Sequence, residues 1–256
     1  MTFLDDVLEV KRAEIDLLRQ HPPSGSVSSA PGFGHALRGP GLSVIAEIKR
    51  RSPSKGDLAR SLDVASAARA YASGGASAIS CLTDRRFFGA LAGDVAQACG
   101  AGLPLLRKDF LIDEIQIAES VDLGVSAVLL IARILPPGRL EALHSHAVSC
   151  GLDVLLEVHD EAEVDRALAA GASIIGVNNR DLATLEVDPG RALRLRPRIP
   201  AGVVSVAESG VSSRDDVRRI EDAGFDAVLI GEALVTSADP AATLMELRGT
   251  VAEVSL

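Results

Sequence analysis

Charged and amide side chains end several short apolar runs of this chain, and their types are suited to proton transfer. Glu47 and Lys49 close one run, Lys108 a second, Glu157 a third and Asn178 a fourth. A lysine can act as an acid or a nucleophile, a carboxylate can accept a proton, and an amide can orient a hydroxyl group. If the ends of these runs converge, as in a barrel of parallel strands, the sequence predicts one active site.

Three of these positions, Glu47, Lys49 and Lys108, also have a simpler interpretation, which the sequence alone leaves open. Alternation places Glu47 and Lys49 on one face of a strand. That face could be the interior of a barrel, or the two residues could form an ion pair on the protein surface without any catalytic role. Lys108 could be a general acid, an electrophile, a Schiff-base nucleophile, or a surface lysine paired with Asp109. We interpret His159 as a structural residue.

The segment after the sixth apolar run offers two amides and a guanidinium group. Asn178, Asn179 and Arg180 follow one another there. Arg180 could hold a carboxylate through two parallel hydrogen bonds, or it could form only a loop ion pair with Asp181.

Two glycines indicate where an anion would bind. Gly210 and Gly231 lie at the ends of the last two apolar runs. Glycine lets the backbone approach an anion closely, and the loops after strands seven and eight of a (β/α)₈ barrel are its usual phosphate site. Glu232 would contribute its backbone N–H, with its carboxylate turned away.

Strand and helix patterns alternate from Leu42 onward and predict a ring of parallel strands. Four segments that begin with glycine each follow a helix-like stretch and precede an apolar run: Gly75, Gly124, Gly171 and Gly224. Further strands are predicted near residues 43–48, 104–107, 154–157 and 203–207, so the pattern contains eight strand–helix units. We therefore predict an α/β fold, a single (β/α)₈ TIM barrel, with an open doubly wound sheet as the alternative.

The region before the first strand is predicted to be a helical extension. Apolar residues recur at helical spacing over residues 3–20, which predicts an amphipathic helix, and a loop rich in Pro and Ser follows. We assign residues 1–42 to this extension and residues 1–256 to one domain. Asp160 is the predicted N-cap of the helix after the fifth strand.

Composition and charge exclude several classes of protein. The chain has 256 residues, a hydrophobic fraction of 47% and a net charge of -9. An acidic chain gains no counterion release on nucleic acid, and an anionic membrane surface repels it. Three cysteines without a close pair, and no apolar signal segment at the amino terminus, favour the reducing cytoplasm. We expect a monomer that binds a small anionic substrate, with no nucleic acid and no membrane as partner.

Eight strings of residues together are similar to the indole-3-glycerol-phosphate synthase family, and they occur in the family's order within residues 1–240. The strings are Ala46–Ser54, Leu82–Phe88, Leu106–Phe110, Leu129–Ile131, Glu157–Glu161, Gly176–Leu182, Ala207–Val211 and Leu229–Leu234. Other phosphate-binding barrels share only the last two. The chain departs from the family at Ala90 and Leu91, in the loop after the second strand, where the family usually has Gly-Ser.

The resemblance implies a carboxy-lyase of tryptophan biosynthesis. Its substrate would be 1-(2-carboxyphenylamino)-1-deoxyribulose 5-phosphate, which is cyclised with loss of carbon dioxide and water to indole-3-glycerol phosphate, without cofactor or metal. By motif, Lys108 would protonate the ribulose carbonyl, Glu157 would assist proton removal, and Lys49 would protonate the departing hydroxyl, although the division between the lysines stays open.

The remaining positions also come from the resemblance. The other catalytic residues implied are Glu47, Asn178 and Ser209. The implied substrate-binding residues are Ser52, Phe110, Leu129, Ile131, Arg180 and Leu182. The implied phosphate-binding residues are Lys49, Gly210, Gly231 and Glu232.

Two other functions stay open at the level of sequence. One is a Schiff-base aldolase-type barrel that acts on a sugar phosphate, with Lys108 as its nucleophile. The other is a non-catalytic barrel that binds a phosphorylated ligand, although such a protein would not need Lys49, Lys108 and Glu157 together.

Overall fold

A closed barrel of parallel strands forms the centre of the molecule. The computed structural model describes residues 3–25, 27, 30 and 32–250. Within them the barrel strands are β1 (Ser43–Ile48), β2 (Ala78–Leu82), β3 (Leu105–Lys108), β4 (Ala127–Ile131), β5 (Asp153–Val158), β6 (Ile174–Asn178), β7 (Val204–Glu208) and β8 (Ala227–Ile230). Each strand pairs in parallel with the next, and β8 closes the ring on β1, with Ala227 beside Ser43. The predicted (β/α)₈ fold is confirmed, and the open sheet is excluded.

Helices connect the strands and cover the outside of the barrel. They are α1 (Phe3–Gln20), α2 (Phe33–Ala36), α3 (Val64–Ser73), α4 (Arg85–Phe88), α5 (Asp94–Cys99), α6 (Glu114–Asp122), α7 (Arg139–Ser149), α8 (Glu161–Ala169), α9 (Gly190–Leu195), α10 (Arg214–Asp222), α11 (Glu232–Val235) and α12 (Pro240–Arg248). Short 3₁₀ turns span Ala132–Ile134 and Arg196–Arg198. A small antiparallel hairpin, Arg51–Ser52 with Gly56–Asp57, lies in the loop after β1.

Local sequence determines where several helices begin and end. Asp160 accepts a hydrogen bond from the backbone N–H of Glu163 at 2.9 Å and caps α8, as predicted. The predicted glycine repeat follows α3, α6, α8 and α10, and its members have φ between 76° and 86°: Gly75, Gly124, Gly171 and Gly224. Because glycine adopts this left-handed conformation without a steric penalty, the repeat ends each helix before the next strand.

Three strands reach one residue further than their predicted carboxyl ends: β5 ends at Val158 rather than at residue 157, and the other two end on a charged residue. β3 ends at Lys108 rather than at residue 107, and β7 ends at Glu208 rather than at residue 207. Lys108 pairs in register with Leu82, and Glu208 with Asn178. The apolar pattern misses these residues because the backbone ladder accepts any residue with a free N–H and C=O, whatever its side chain. The polar end groups are therefore part of the sheet itself.

The amino-terminal extension contacts both ends of the barrel. α1 covers the predicted range 3–20, and Phe3 reaches the cavity at the carboxyl ends of the strands. The chain then passes α6, where the Ser24 hydroxyl donates to Asp122 at 2.6 Å. The backbone N–H of Gly34 in α2 donates to Asp153 at 2.8 Å, at the amino end of β5. Residues 1, 2, 26, 28, 29 and 31 of the predicted extension lie outside the described residues.

Aliphatic side chains form the core in two layers, one inside the barrel and one between the strands and the helices. The interior layer includes Ile45, Leu106, Leu155 and Val204, which come from alternate strands. In the part of the chain that the structure describes, no helix combines the length and the apolar character needed to cross a bilayer.

Candidate active site

An open cavity of about 720 Å³ lies at the carboxyl ends of the strands, which is the usual place for an active site in this architecture. The structure brings every site residue implied by the resemblance to the lining of this cavity, whereas Asn179, the second amide after the sixth apolar run, lies outside it. The site residues in the lining are Glu47, Lys49, Ser52, Lys108, Phe110, Leu129, Ile131, Glu157, Asn178, Arg180, Leu182, Ser209, Gly210, Gly231 and Glu232.

Lys108 is the central cation of the cavity. Its Nζ lies 3.1 Å from Glu208 Oε2 and 3.5 Å from Glu157 Oε2, and only 12% of its side chain is exposed. Burial disfavours the ammonium form, but the charges of Glu208, Glu157 and Glu47 outweigh this and raise the pKa of Lys108 well above its usual value. Lys108 therefore stays protonated and can donate a proton or a hydrogen bond.

The interpretation of Lys108 as a surface lysine paired with Asp109 is wrong. Lys108 points into the cavity, whereas Asp109 is buried and lies 2.8 Å from Lys11 Nζ of α1. Successive residues of a strand point to opposite faces, so the two side chains diverge at the end of β3.

Glu47 and Lys49 form an ion pair inside the mouth of the barrel. Lys49 Nζ donates to Glu47 Oε1 at 2.7 Å, and the two side chains are 18% and 5% exposed. Burial raises the pKa of Glu47, but Lys49 and Lys108 together lower it below its usual value. The surface-pair interpretation is therefore wrong, because both lysines act on one buried carboxylate that lines the cavity.

Glu157 is held between Lys108 and His159. Lys108 approaches one carboxylate oxygen from the cavity, and His159 Nε2 lies 3.3 Å from the other, Oε1. Burial raises the pKa of Glu157, but Lys108, His159 and a hydrogen bond from Asn178 lower it to about 2. Glu157 is thus an ionised carboxylate whose side chain is almost fully buried.

Glu208 differs from Glu157 because its pKa is raised rather than lowered. It ends β7, its side chain is 1% exposed, and neither of its oxygens makes a hydrogen bond among the described residues beyond the ion pair with Lys108. Burial raises the pKa of Glu208 to about 7, because the attraction of Lys108 is offset by repulsion from Glu157 and Glu47. The cavity therefore holds a carboxyl group that can change protonation near neutrality.

The loop after β6 points Arg180 toward the mouth. Its backbone N–H donates to Asn178 Oδ1 at 2.9 Å, and its Nη1 donates to the carbonyl of Leu185 at 2.7 Å. Asp181 pairs instead with Arg133 at 2.9 Å, so the predicted alternative of an Arg180–Asp181 loop pair is wrong. The guanidinium group of Arg180 lines the cavity with part of its surface open.

The loop after β7 has a left-handed backbone, and the loop after β8 passes close to the Glu47–Lys49 ion pair. Ser209 and Gly210 both have left-handed φ angles, 67° and 81°. A Cβ atom on Gly231 would lie 2.6 Å from Glu47 Oε1 and 3.0 Å from Lys49 Nζ, so a side chain there would displace the Glu47–Lys49 ion pair. α11 begins at Glu232, and its first N–H groups have no partner within the helix.

Aromatic rings form an apolar wall of the cavity. The ring centroid of Phe110 lies 6.4 Å from that of Phe3 and 6.3 Å from that of Phe88. The rings of Phe3 and Phe87 meet edge to face, with their centroids 5.2 Å apart. These distances are typical of favourable aromatic pairs. The cavity thus joins an apolar wall to a charged floor.

Comparison with known proteins assigns the chain to a family. The family model described as indole-3-glycerol phosphate synthase matches residues 4–247. The chain belongs to the indole-3-glycerol phosphate synthase family. The resemblance drawn from the eight strings is confirmed by this match.

Named relatives agree with the family. The chain is 47% identical over 249 residues to the indole-3-glycerol phosphate synthase of Chlorobium phaeovibrioides, covering 93% of this chain and 96% of that one. It is 51% identical over 221 residues to indole-3-glycerol phosphate synthase 2 of Streptomyces coelicolor, covering 86% of each. A solved thiamine phosphate pyrophosphorylase from Pyrococcus furiosus is similar in fold, with a TM-score of 0.59 and 17% identity over 82% of this chain and 95% of that one.

Sequence reasoning assigned no role to some residues that line the cavity. Glu208 is the clearest case, since it ends a strand in the same way as Lys108 and Glu157, and that pattern alone could have found it. Phe88 lies inside one of the family strings. Phe3 and Lys55 reach the cavity through tertiary docking, for which the sequence carries no local signal.

Proposed function

We propose that this protein closes the indole ring of 1-(2-carboxyphenylamino)-1-deoxyribulose 5-phosphate, releases carbon dioxide and water, and forms indole-3-glycerol phosphate in tryptophan biosynthesis. The observation that carries the proposal is the position of Lys108, which faces the cavity 3.1 Å from Glu208 and 3.5 Å from Glu157. Family membership indicates the substrate, and this cluster offers a charged acid beside carboxylates.

The phosphate end of the substrate is assigned to the loops after β7 and β8. Backbone N–H groups of Gly210, Gly231 and Glu232 would bind its oxygens, with Lys49 as the nearby cation. The Glu232 carboxylate forms an ion pair with Lys55 of the loop after β1, which keeps it from opposing the phosphate.

The aromatic end is assigned to the apolar wall. Phe110, Leu129, Ile131 and Leu182 would pack against the benzene ring. Ser52 and Arg180 would bind its carboxylate, for which the guanidinium group offers parallel N–H donors. Because both ends are held, the chain between them bends and the reacting carbons approach one another.

Lys108 acts in the ring-closing step. The aromatic carbon that bears the carboxylate forms a bond to the ribulose carbonyl carbon, and the carbonyl oxygen takes a proton from the Lys108 ammonium group. Loss of carbon dioxide then returns an electron pair to the ring. A positioned proton donor of this kind contributes about 10²- to 10⁴-fold to the rate.

Glu157 and Lys49 act in the dehydration. Lys49 would protonate the departing hydroxyl, and Glu157, ionised between Lys108 and His159, would accept the proton lost from the intermediate. Glu47, Asn178 and Ser209 would orient the hydroxyl groups, since each lines the cavity beside these two residues.

The charge state of Lys108 favours this role over Schiff-base chemistry. A Schiff-base lysine must lose its proton before it attacks a carbonyl. Three buried carboxylates stabilise the ammonium form of Lys108 instead. Treatment with borohydride in the presence of a keto-sugar phosphate should therefore leave no reduced adduct on Lys108, whereas a stable adduct would favour the aldolase.

The functional unit is proposed to be a monomer in the cytoplasm. Every residue assigned a role here comes from a single chain, and the three cysteines are unpaired thiols, as expected in a reducing compartment.

The deciding experiment is an absorbance assay on the purified protein. Mixed with the anilino-ribulose phosphate and no added cofactor, the protein should generate indole absorbance that rises with enzyme concentration. A protein that binds the substrate but leaves the absorbance unchanged would contradict the proposed function.

A further inference from the structure

His159 is a buried titratable group that the reaction steps above do not use directly. It follows β5, two residues after Glu157, and its side chain is fully buried outside the cavity lining. Its Nε2 lies 3.3 Å from Glu157 Oε1, and its Nδ1 lies 3.0 Å from Glu163 Oε2. Each ring nitrogen therefore faces a carboxylate oxygen. Because a carboxylate only accepts hydrogen bonds, Nδ1 carries a proton toward Glu163. The Nε2 contact with Glu157 is close enough for an ion pair but is not aligned as a hydrogen bond, and it is attractive only if Nε2 carries a second proton, since a neutral ring would turn a lone pair toward the carboxylate.

Glu163 holds the ring in place from α8. Its Oε2 accepts the backbone N–H of His159 at 2.7 Å as well as the ring contact. Its Oε1 accepts a hydrogen bond from Arg133 Nε at 2.8 Å. Its own backbone N–H is bound by the N-cap Asp160 at 2.9 Å. The carboxylate that orients His159 is thus fixed on several sides.

The charges around the ring support the cationic form. Burial lowers the pKa of His159, but the neighbouring carboxylates of Glu157 and Glu163 outweigh this and raise it to about 9. The neighbouring cations are Arg133, behind Glu163, and Lys108, on the cavity side of Glu157.

The placement of His159 matters for the charge balance of the cavity. Lys49 and Lys108 face three carboxylates there, those of Glu47, Glu157 and Glu208. A cation on the side of Glu157 away from the cavity balances the charge of that carboxylate. Lys108 is then not required to form a close ion pair with Glu157. The long Lys108–Glu157 distance of 3.5 Å is consistent with this division.

On the basis of the proposed function, we propose that His159 is a positioning residue, whose imidazolium, anchored by Glu163, fixes Glu157 as an ionised base and leaves Lys108 free to serve the substrate carbonyl. A purely structural histidine would fill the same space, but it would not set the pH range in which Glu157 acts.

Kinetics of three variants test this role. In His159→Asn the charge behind Glu157 is absent at every pH, so the fall in kcat/KM that accompanies deprotonation of the His159 ring near pH 9 should disappear from the alkaline limb. We expect kcat to fall about 10- to 100-fold, as for outer partners that orient metal ligands, while KM changes little. His144→Asn is the matched control, because His144 is buried in α7 and absent from the cavity lining. Its profile should match the wild type.

Glu163→Gln provides a second route to the same property. The neutral amide no longer stabilises the imidazolium, so the rate should begin to fall at a lower pH than in the wild type, on the alkaline side of the profile. This variant retains His159 and keeps the test available if His159→Asn does not fold.

Histidine ¹⁵N NMR reads the ring charge without requiring turnover. The chain has five histidines, and the signal missing in His159→Asn identifies the ring. In the wild type this ring should stay doubly protonated at pH 8 and titrate lower in Glu163→Gln. A neutral ring at pH 7, or an unchanged kinetic profile in His159→Asn, would overturn the positioning role. A wild-type protein that forms no indole would overturn the proposed function, and this role with it, whatever the ring titration shows.

Discussion

Two lysines with largely buried side chains, Lys11 and Lys108, are each surrounded by carboxylates, but only Lys108 faces the cavity. Lys11 of α1 is 1% exposed and lies 2.7 to 2.8 Å from the carboxylates of Glu14, Asp84 and Asp109. Lys108 is 12% exposed, and its two nearest carboxylate oxygens are 3.1 and 3.5 Å away. The first cluster is closed and tight, whereas the second is open and loosely paired.

One carboxylate from each cluster, Asp109 in the first and Glu208 in the second, shows the same difference. Asp109 also accepts hydrogen bonds from the Thr83 hydroxyl at 2.5 Å and the Phe110 N–H at 2.8 Å. Burial opposes ionisation of Asp109, but Lys11 and Arg107 lower its pKa below the usual value. Glu208 has a raised pKa and no such additional donors among the described residues. A buried carboxylate whose oxygens already accept hydrogen bonds from the protein is suited to a structural role. A carboxylate with free acceptor sites can still bind a substrate.

The largest expected effect is the loss of turnover in Lys108→Met. Without the ammonium group the developing alkoxide loses its proton donor, so kcat should fall by about 10³-fold or more. The unfolding free energy should stay the same or rise slightly, since the cavity carboxylates can take up protons and active-site charge is often destabilising. Steady-state kinetics and urea unfolding measure the two quantities. Wild-type-like turnover would refute the role of Lys108.

Lys11→Met should give the reverse result. Removing the cation leaves buried carboxylates without a partner, which lowers the unfolding free energy by about 3–5 kcal/mol. Urea unfolding at neutral pH, compared with Lys108→Met, measures the difference. Equal stability losses in the two variants would remove the distinction between the clusters.

Glu208→Gln should show a stability gain that depends on pH. The folded-state pKa of Glu208 is raised to about 7 from its usual 4.5, so the folded state binds more protons than the unfolded state between these values. The contribution of Glu208 to the unfolding free energy of the wild type therefore falls as the pH rises from about 4.5 through 7. Over this range the unfolding free energy of Glu208→Gln, relative to that of the wild type, should increase by about 2 kcal/mol. Unfolding at pH 5 and pH 8 tests this, with Glu9→Gln on the exposed face of α1 as control. An advantage that shrinks with pH would contradict the raised pKa.

The smallest effect is expected at the rim, for Lys55→Ala. The Lys55–Glu232 pair is exposed, with 55% and 40% of the side chains open, so its loss should change the unfolding free energy by less than about 1 kcal/mol. KM should rise by roughly two- to five-fold at low salt and less at high salt, because a screened surface cation is lost beside the phosphate loops. Arg60→Ala serves as control, since Arg60 belongs to the same segment but does not line the cavity. An equal rise in KM for both variants would indicate a general field effect.

The barrel and the open cluster could largely be predicted from the sequence. Repeated strand and helix patterns specify local structure, and closing the ring brings the strand ends together, which is why Glu47, Lys108 and Glu157 meet. Glu208 follows the same rule, although no role was assigned to it from the sequence.

The closed cluster could not be predicted, because two of its three carboxylates, those of Asp84 and Asp109, are distant from Lys11 along the chain. Lys11 occupies a position in the apolar stripe of α1, between Val7 and Ile15, and a charged residue there is the available local signal. Its contact with Asp84 depends on how α1 docks against the loop after β2. Helical periodicity identifies the buried face but not the surface that covers it.

The central claim is that one cavity completes ring closure, decarboxylation and dehydration with its own side chains. The most direct test is a single-turnover experiment, with the dialysed enzyme in excess over the anilino-ribulose phosphate and a chelator present, in which carbon dioxide and indole-3-glycerol phosphate are both quantified. The account predicts one molecule of each per molecule of substrate. Carbon dioxide without the indole product, or neither of them, would contradict it.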